Sequence, residues 1–278
     1  MKKLMKLGSG AIALGAVAAG ASAQVDITRW GFSTTAAVGT VANPAPSFGT
    51  GAASVVGMSG AGTDVVQTGT ALIIDPDPLS TGLTWRIRGL SNFSDNTNGW
   101  DNVAPQYSQG IQFMASTVGF TSVMLDFDWF STNQGIRNLQ VQYTLDGSTW
   151  NNYKGTYAGG VATDTDAGGN TQLLATPNAY NAAGTAALFN EADFSSISGA
   201  SNNANFGVRM VSAFDKTLGA YASTTLLSGA PQLYNGTSGN WRIDQIAIRG
   251  TASSVPEPMS FAVLGIGVAA LIRRKKRS

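Results

Sequence analysis

Apolar and polar residues alternate with a period of two along much of this chain, the signature of strands with one buried and one wet face. The sharpest stretch sets Val123, Leu125, Phe127 and Trp129 against Met124, Asp126 and Asp128. Another sets Leu139, Val141, Tyr143 and Leu145 against Asn138, Gln140, Gln142 and Thr144, and Asp146-Gly147 then supplies a hairpin signal before Trp150 and Tyr153. Shorter stretches follow the same rule: Val25, Ile27 and Arg29 against Asp26, Thr28 and Trp30; Leu83, Trp85 and Ile87 against Thr84, Arg86 and Arg88; Ile111, Phe113 and Ala115; Phe206, Val208 and Met210. In the closing segment 241–249 the phase changes, with Trp241 and Ile243 in one register and Ile246 and Ile248 in the other. A β-bulge near Asp244 would reconcile them.

Between these stretches the chain is built of small and turn-forming residues. Residues 33–82 are rich in Gly, Ala, Ser, Thr and Val and are broken by Pro44, Pro46, Pro76 and Pro78, which predicts short strands between loops. Residues 155–205 are similar and carry one weakly helical piece at 185–194. Many short strands, frequent turn signals and no long helix predict an all-β fold, a single antiparallel β-sandwich. The wide separation of first and last strands is compatible with a jelly roll.

The two ends depart from this pattern. Lys2, Lys3 and Lys6 precede a small apolar stretch at 7–19, and Ala21-Ser22-Ala23 offers an A-x-A cleavage site, so residues 1–23 are expected to be a signal peptide read by signal peptidase. At the other end, Pro256-Glu257-Pro258 leads into an uncharged run at 259–272, followed by Arg273, Arg274, Lys275, Lys276 and Arg277. An apolar run closed by cations is a stop-transfer signal that leaves the preceding domain outside. The run has 14 residues, fewer than the roughly 20 of a comfortable transmembrane helix. Such a short helix suits a segment that is recognised and removed. The prolines keep the tripeptide extended and accessible.

These three ordered features resemble the PEP-CTERM sorting signal. The resemblance implies an exosortase, a membrane protease-transpeptidase, as processing partner and a transient stay in the inner membrane. The simpler alternative is an ordinary C-terminal anchor behind a proline-rich linker. The expected organisation is then a signal peptide at 1–23, a β-sandwich ectodomain at 24–254, and a sorting signal at 255–278 containing a short transmembrane helix at 259–272 and a basic tail.

Removing both ends changes the charge. Between residues 24 and 255, two lysines and seven arginines stand against fourteen aspartates and Glu191, a net charge of −6, whereas the whole chain carries +1. An acidic domain repels phosphate backbones, which argues against nucleic acid as a partner. The chain has no cysteine and no histidine. A hydrophobic core must therefore stabilise it without disulfides, and Ser-His-Asp, Cys-His and most zinc chemistry are excluded.

Three places could carry chemistry. Asp126 and Asp128, two apart on one strand, should project from the same outer face, where their repulsion could be neutralised by calcium. The simpler reading is a solvated strand face. Trp100, Asp101 and Asn102 sit in a loop with Asp95, Asn96 and Asn98, so an indole and several amide and carboxylate partners could meet a sugar ring; alternatively, Trp100 plugs the end of the sandwich. The stretch 144–150 resembles the Asp-box of sialidase-like propellers but is one residue short, and is read as a structural hairpin with Trp150 in the core.

The order of Gln109-Gly110-Ile111-Gln112-Phe113, Phe127-Asp128-Trp129, the 143–150 stretch and Trp241-Arg242-Ile243-Asp244 is similar to that of the jelly-roll ectodomains often carried by PEP-CTERM proteins. Similar sandwiches serve as carbohydrate-binding modules. The resemblances imply an exported surface or extracellular-matrix protein, and Trp100 with its amide-rich loop suggests exopolysaccharide as its ligand. No acid stands in a catalytic pattern, and Glu191 is the one glutamate between residues 24 and 255, so a non-enzymatic protein is expected; calcium is the one cofactor considered. A matrix-glycan hydrolase or lyase using aspartates, or a purely structural adhesive component, are the alternatives.

Overall fold

The sharpest alternating stretches become strands. In the computed structural model the residues described are 23–32, 39–40, 43–57, 64–66, 84–87, 100–131, 134–159, 162–175, 189–235 and 239–253. The first six strands are β1 (Gln24–Trp30), β2 (Gly39–Thr40), β3 (Phe48–Gly49), β4 (Ala52–Val56), β5 (Asp64–Val66) and β6 (Trp85–Ile87). The middle of the chain gives β7 (Gly110–Met114), β8 (Phe120–Ser131), β9 (Asn138–Thr144), β10 (Asn151–Asn152), β11 (Tyr157–Gly159), β12 (Ala162–Thr165) and β13 (Thr171–Leu174). The last five are β14 (Phe189–Asp193), β15 (Gly207–Ser212), β16 (Ala222–Leu227), β17 (Ala230–Leu233) and β18 (Trp241–Ala252).

One sheet has the order β11-β14-β8-β18-β6-β5-β2, with β1 also pairing to β18 and to β3. A second has the order β12-β13-β9-β15-β7-β4, with β10 added on β9, and β16-β17 forms a separate hairpin. Every strand pairing among the described residues is antiparallel. The pairings nest: β1 with β18, β7 with β15, β8 with β14, β9 with β13. All-β architecture is thus observed, and the described residues contain no helix.

One hydrophobic core joins the two sheets, an arrangement consistent with a sandwich. Trp30 and Trp85 of the first sheet reach Phe113 of the second at ring-centroid distances of 4.9 and 5.9 Å. Trp241 lies between Trp100 and Trp129, at 4.4 and 5.5 Å, and its Nε1 donates to the Ile136 carbonyl at 2.9 Å. Five of the six tryptophans are buried in this way. The sixth, Trp150, is half-exposed, so it does not fill the core as the hairpin reading of 144–150 expected.

The bulge expected in β18 is present. Its pairing with β8 slips between Asp244 and Ala247, and Gln245 adopts φ 50°. That extra residue lets Trp241, Ile243, Ile246 and Ile248 all face the core. The Asp244 carboxylate caps the irregularity, accepting from the Phe32 and Gln245 amides at 3.1 and 2.7 Å.

Two local expectations are corrected. β1 does not hold a single phase: its pairing with β18 slips between Asp26 and Thr28, so Thr28 and Trp30 turn inward while Asp26 makes ion pairs at the surface. Within the weakly helical piece 185–194, residues 189–193 form strand β14, and 185–188 lie outside the described residues. Pairing with β8 and burial of Asn190 and Ala192 override the local alanine-rich preference.

Candidate functional site

Strand alternation gives the second sheet a polar outer face. On β9, Leu139 and Val141 point into the core, and Gln140 and Gln142 point the other way. Register then brings polar residues of five strands into one row. Ser54 on β4 stands opposite Gln112 on β7, Gln112 opposite Arg209 on β15, Arg209 opposite Gln142 on β9, and Gln142 opposite Asn152 on β10. Four interstrand gaps make the row about 19 Å long.

The row is tied along its length. Arg209 Nε donates to Gln112 Oε1 at 2.9 Å, and Gln142 Nε2 donates to Asn152 Oδ1 at 2.8 Å. The Arg209 guanidinium carbon sits 3.8 Å from the centroid of the Trp150 ring, a cation–π stack. Partial burial lowers the arginine's pKa, but a guanidinium remains charged at any ordinary pH. Ser54, Gln112, Arg209, Trp150 and Asn152 are half-buried, and Gln142 lies beneath them.

Trp150 is placed by the hairpin before it. Asp146 Oδ1 accepts from the backbone amides of Ser148 and Thr149 at 2.7 and 2.6 Å and is joined to the Thr144 hydroxyl at 3.0 Å. These bonds, those from Thr149 foremost, hold the Asp146 carboxyl far below the usual carboxylate range. At the far end of the row, the Tyr107 hydroxyl donates to Asp166 Oδ2 at 2.9 Å. Burial and the Asp166 charge push the Tyr107 phenol up to about 12. Burial opposes ionisation of Asp166, yet the Asn170, Tyr107 and Gly168 hydrogen bonds keep its pKa low.

The first sheet carries a different cluster. Arg249 Nη1 lies 2.8 Å from Asp126 Oδ2, Arg249 Nε lies 3.6 Å from Asp26 Oδ1, and Arg29 lies 2.6 Å from Asp26. Glu191 stands directly opposite Asp126 across β14 and β8. Burial raises the Asp126 pKa while Arg249 pulls it down; burial and the Asp126 charge raise Glu191.

The residues singled out from sequence fare unevenly. Asp126 and Asp128 are 6 and 5 % exposed, so the solvated strand face expected for them is corrected. The charge that calcium was expected to neutralise is met at Asp126 by Arg249. Among the described residues no group of three or more acidic, histidine or cysteine side chains is arranged to hold a metal ion. The sugar-stacking role expected of Trp100 is corrected as well: its indole is 1 % exposed against Trp241, and its backbone amide donates to the Tyr234 hydroxyl at 2.7 Å. Asp101 turns its carboxylate to the Val103 amide at 2.9 Å, and Asn102 is exposed beside it. No sugar platform is assembled by these three.

Ala23 is exposed at the start of the described chain. Ala21, Pro256, Glu257, Pro258, Arg273 and Arg274, with the helix expected at 259–272, lie outside the described residues. Among the described residues no helix is long and apolar enough to cross a membrane. Sequence reasoning missed the row on the second sheet, although the polar phase of Gln140 and Gln142 pointed outward. The chain is therefore an all-β protein with antiparallel sheets around one core and a polar row on an outer face. No known protein family, curated protein or solved structure matches it.

Proposed function

We propose that this chain is an exported, jelly-roll-like β-sandwich that binds polysaccharide at the cell surface or in the extracellular matrix. The observation that carries the reading is the row Ser54-Gln112-Arg209-Gln142-Asn152 with Trp150 beside it. Saccharides present many hydroxyls and apolar ring faces, and a half-buried row of amides, a guanidinium and an aromatic edge matches both. The nested strand pairings support the jelly roll. The basic, apolar and A-x-A elements of residues 1–23 support export, and the Pro-Glu-Pro, apolar and arginine-rich end supports sorting by an exosortase.

Nothing in the row suits hydrolysis. The raised carboxyls Asp126 and Glu191 face each other across paired strands on the other sheet, and Asp126 is committed to Arg249. We read them as structural.

The test is affinity electrophoresis of the full-length chain, purified in detergent, through gels containing neutral or acidic polysaccharides. Retardation is expected, and it should be lost in a Ser54→Ala/Gln112→Ala variant that unfolds at an unchanged urea concentration. Unretarded migration in every gel refutes binding. The export reading is checked separately by mass spectrometry of the termini: a cytosolic chain with both ends intact overturns it.

A further inference from the structure

We infer that the polysaccharide bound by this face is acidic, and that Arg209 receives a carboxylate of the sugar. The inference rests on the saccharide-binding role proposed above and narrows its ligand class. Arg29 and Arg249 are each paired with an aspartate. Among the described residues Arg209 has no acidic partner: its Nε bonds to the neutral Gln112, its guanidinium carbon sits over Trp150, and its two terminal nitrogens donate to no oxygen there. A half-buried guanidinium without an anion keeps its charge at a desolvation cost that a bound anion would offset.

Geometry selects the kind of anion. The Gln112 bond and the Trp150 stack fix the guanidinium plane, so little side-chain freedom is lost when its free edge is occupied. That edge presents parallel N–H groups matched to the two oxygens of a carboxylate. On either side along the row stand neutral, half-buried donors and acceptors, Ser54 and Gln112 one way and Asn152 the other, suited to hydroxyls. A single cation among amides fits a uronate within a glycan better than a polyphosphate, which would demand several cations. The acidic remainder of the domain repels such a chain only weakly, because physiological salt screens charges beyond about 8 Å.

The experiment is titration calorimetry of the full-length chain in detergent with oligogalacturonate and with the same oligomer methyl-esterified at its carboxyls. Preference for the free acid by at least about tenfold is expected, and it should shrink as salt is raised. Arg209→Gln should abolish the preference while leaving ester binding in place, and Ser54→Ala should weaken both probes alike. Equal binding of acid and ester by the unaltered chain overturns the acidic assignment and leaves saccharide binding standing. A preference that survives Arg209→Gln overturns the role of Arg209. Absence of binding to either probe overturns the assignment; retardation by other polysaccharides in the gels then decides whether the broader reading falls with it.

Discussion

Replacing Arg249 by alanine strands a buried carboxylate. Asp126 is 6 % exposed, its Oδ2 is held by Arg249 Nη1 at 2.8 Å, and its Oδ1 makes no hydrogen bond among the described residues. Removing one member of a fully buried ion pair costs about 3–5 kcal/mol. The Arg249 side chain is 31 % exposed, so water already screens part of the attraction, and a loss of about 2 kcal/mol is the corresponding expectation. The Arg249–Asp26 contact adds little, since Asp26 keeps Arg29 at 2.6 Å. Without Arg249, the groups left facing Asp126 are Glu191, Asp26 and Arg29, and its pKa, already raised by burial, rises further. A carboxyl raised in the folded state takes up a proton there first. Its stabilising contribution is full below the unfolded value of about 4 and is lost as pH rises through the folded value. The deficit of Arg249→Ala should therefore be largest at neutral pH and shrink on acidification. Asp126→Asn in the same background removes the charge and should restore most of the loss at neutral pH. Urea midpoints followed by tryptophan fluorescence measure both. A deficit independent of pH, or a double variant no better than the single one, would refute the assignment.

Two further outcomes follow from the core and the hairpin. Trp241→Ala removes the ring between Trp100 and Trp129 together with its bond to Ile136, and should cost about 3–5 kcal/mol in urea unfolding; a loss below about 1 kcal/mol would mean the ring is not packed as described. Asp146 has a depressed pKa. Its contribution is therefore present above about pH 4 and is lost as pH falls through the folded value. Asp146→Ala should flatten that acid limb in urea midpoints measured across pH, and an unchanged limb counts against the Asp146 turn.

The sharply alternating strands β8, β9 and β15 were legible because burial imposes their period, and even the bulge in β18 announced itself as a phase change between Ile243 and Ile246. By contrast, β12, β13, β16 and β17 carried no such signal, and β14 read as weakly helical. What a strand's polar phase faces was not legible. Asp126 and Gln142 are both polar positions on sharply alternating strands and both are 6 % exposed, yet one is closed over by a cation, Arg249, and the other by the neutral Asn152 of a half-buried row. The row itself unites residues 54, 112, 142, 152 and 209, and only register across five strands brings them together. The burial of Trp100 and the half-exposure of Trp150 escaped the sequence for the same reason. A tryptophan in a polar loop suggested a platform, but contact with Trp241 buries it, while the one after the hairpin lies under Arg209.

The two faces divide the work of charge. On the first sheet, the contacts linking Arg29, Asp26, Arg249 and Asp126 spend their cations internally, so changes there should alter stability. On the second, Arg209 is fixed by a neutral amide and an aromatic ring, neither of which consumes its charge. A substitution at Arg209 should consequently change ligand selection with little effect on the urea midpoint, and one at Arg249 should do the reverse. Measuring both quantities for both variants separates the faces. If Arg209→Gln destabilises the fold as much as Arg249→Ala, the guanidinium is a structural element of the sheet, and the row loses the feature that distinguishes it from an ordinary solvated surface.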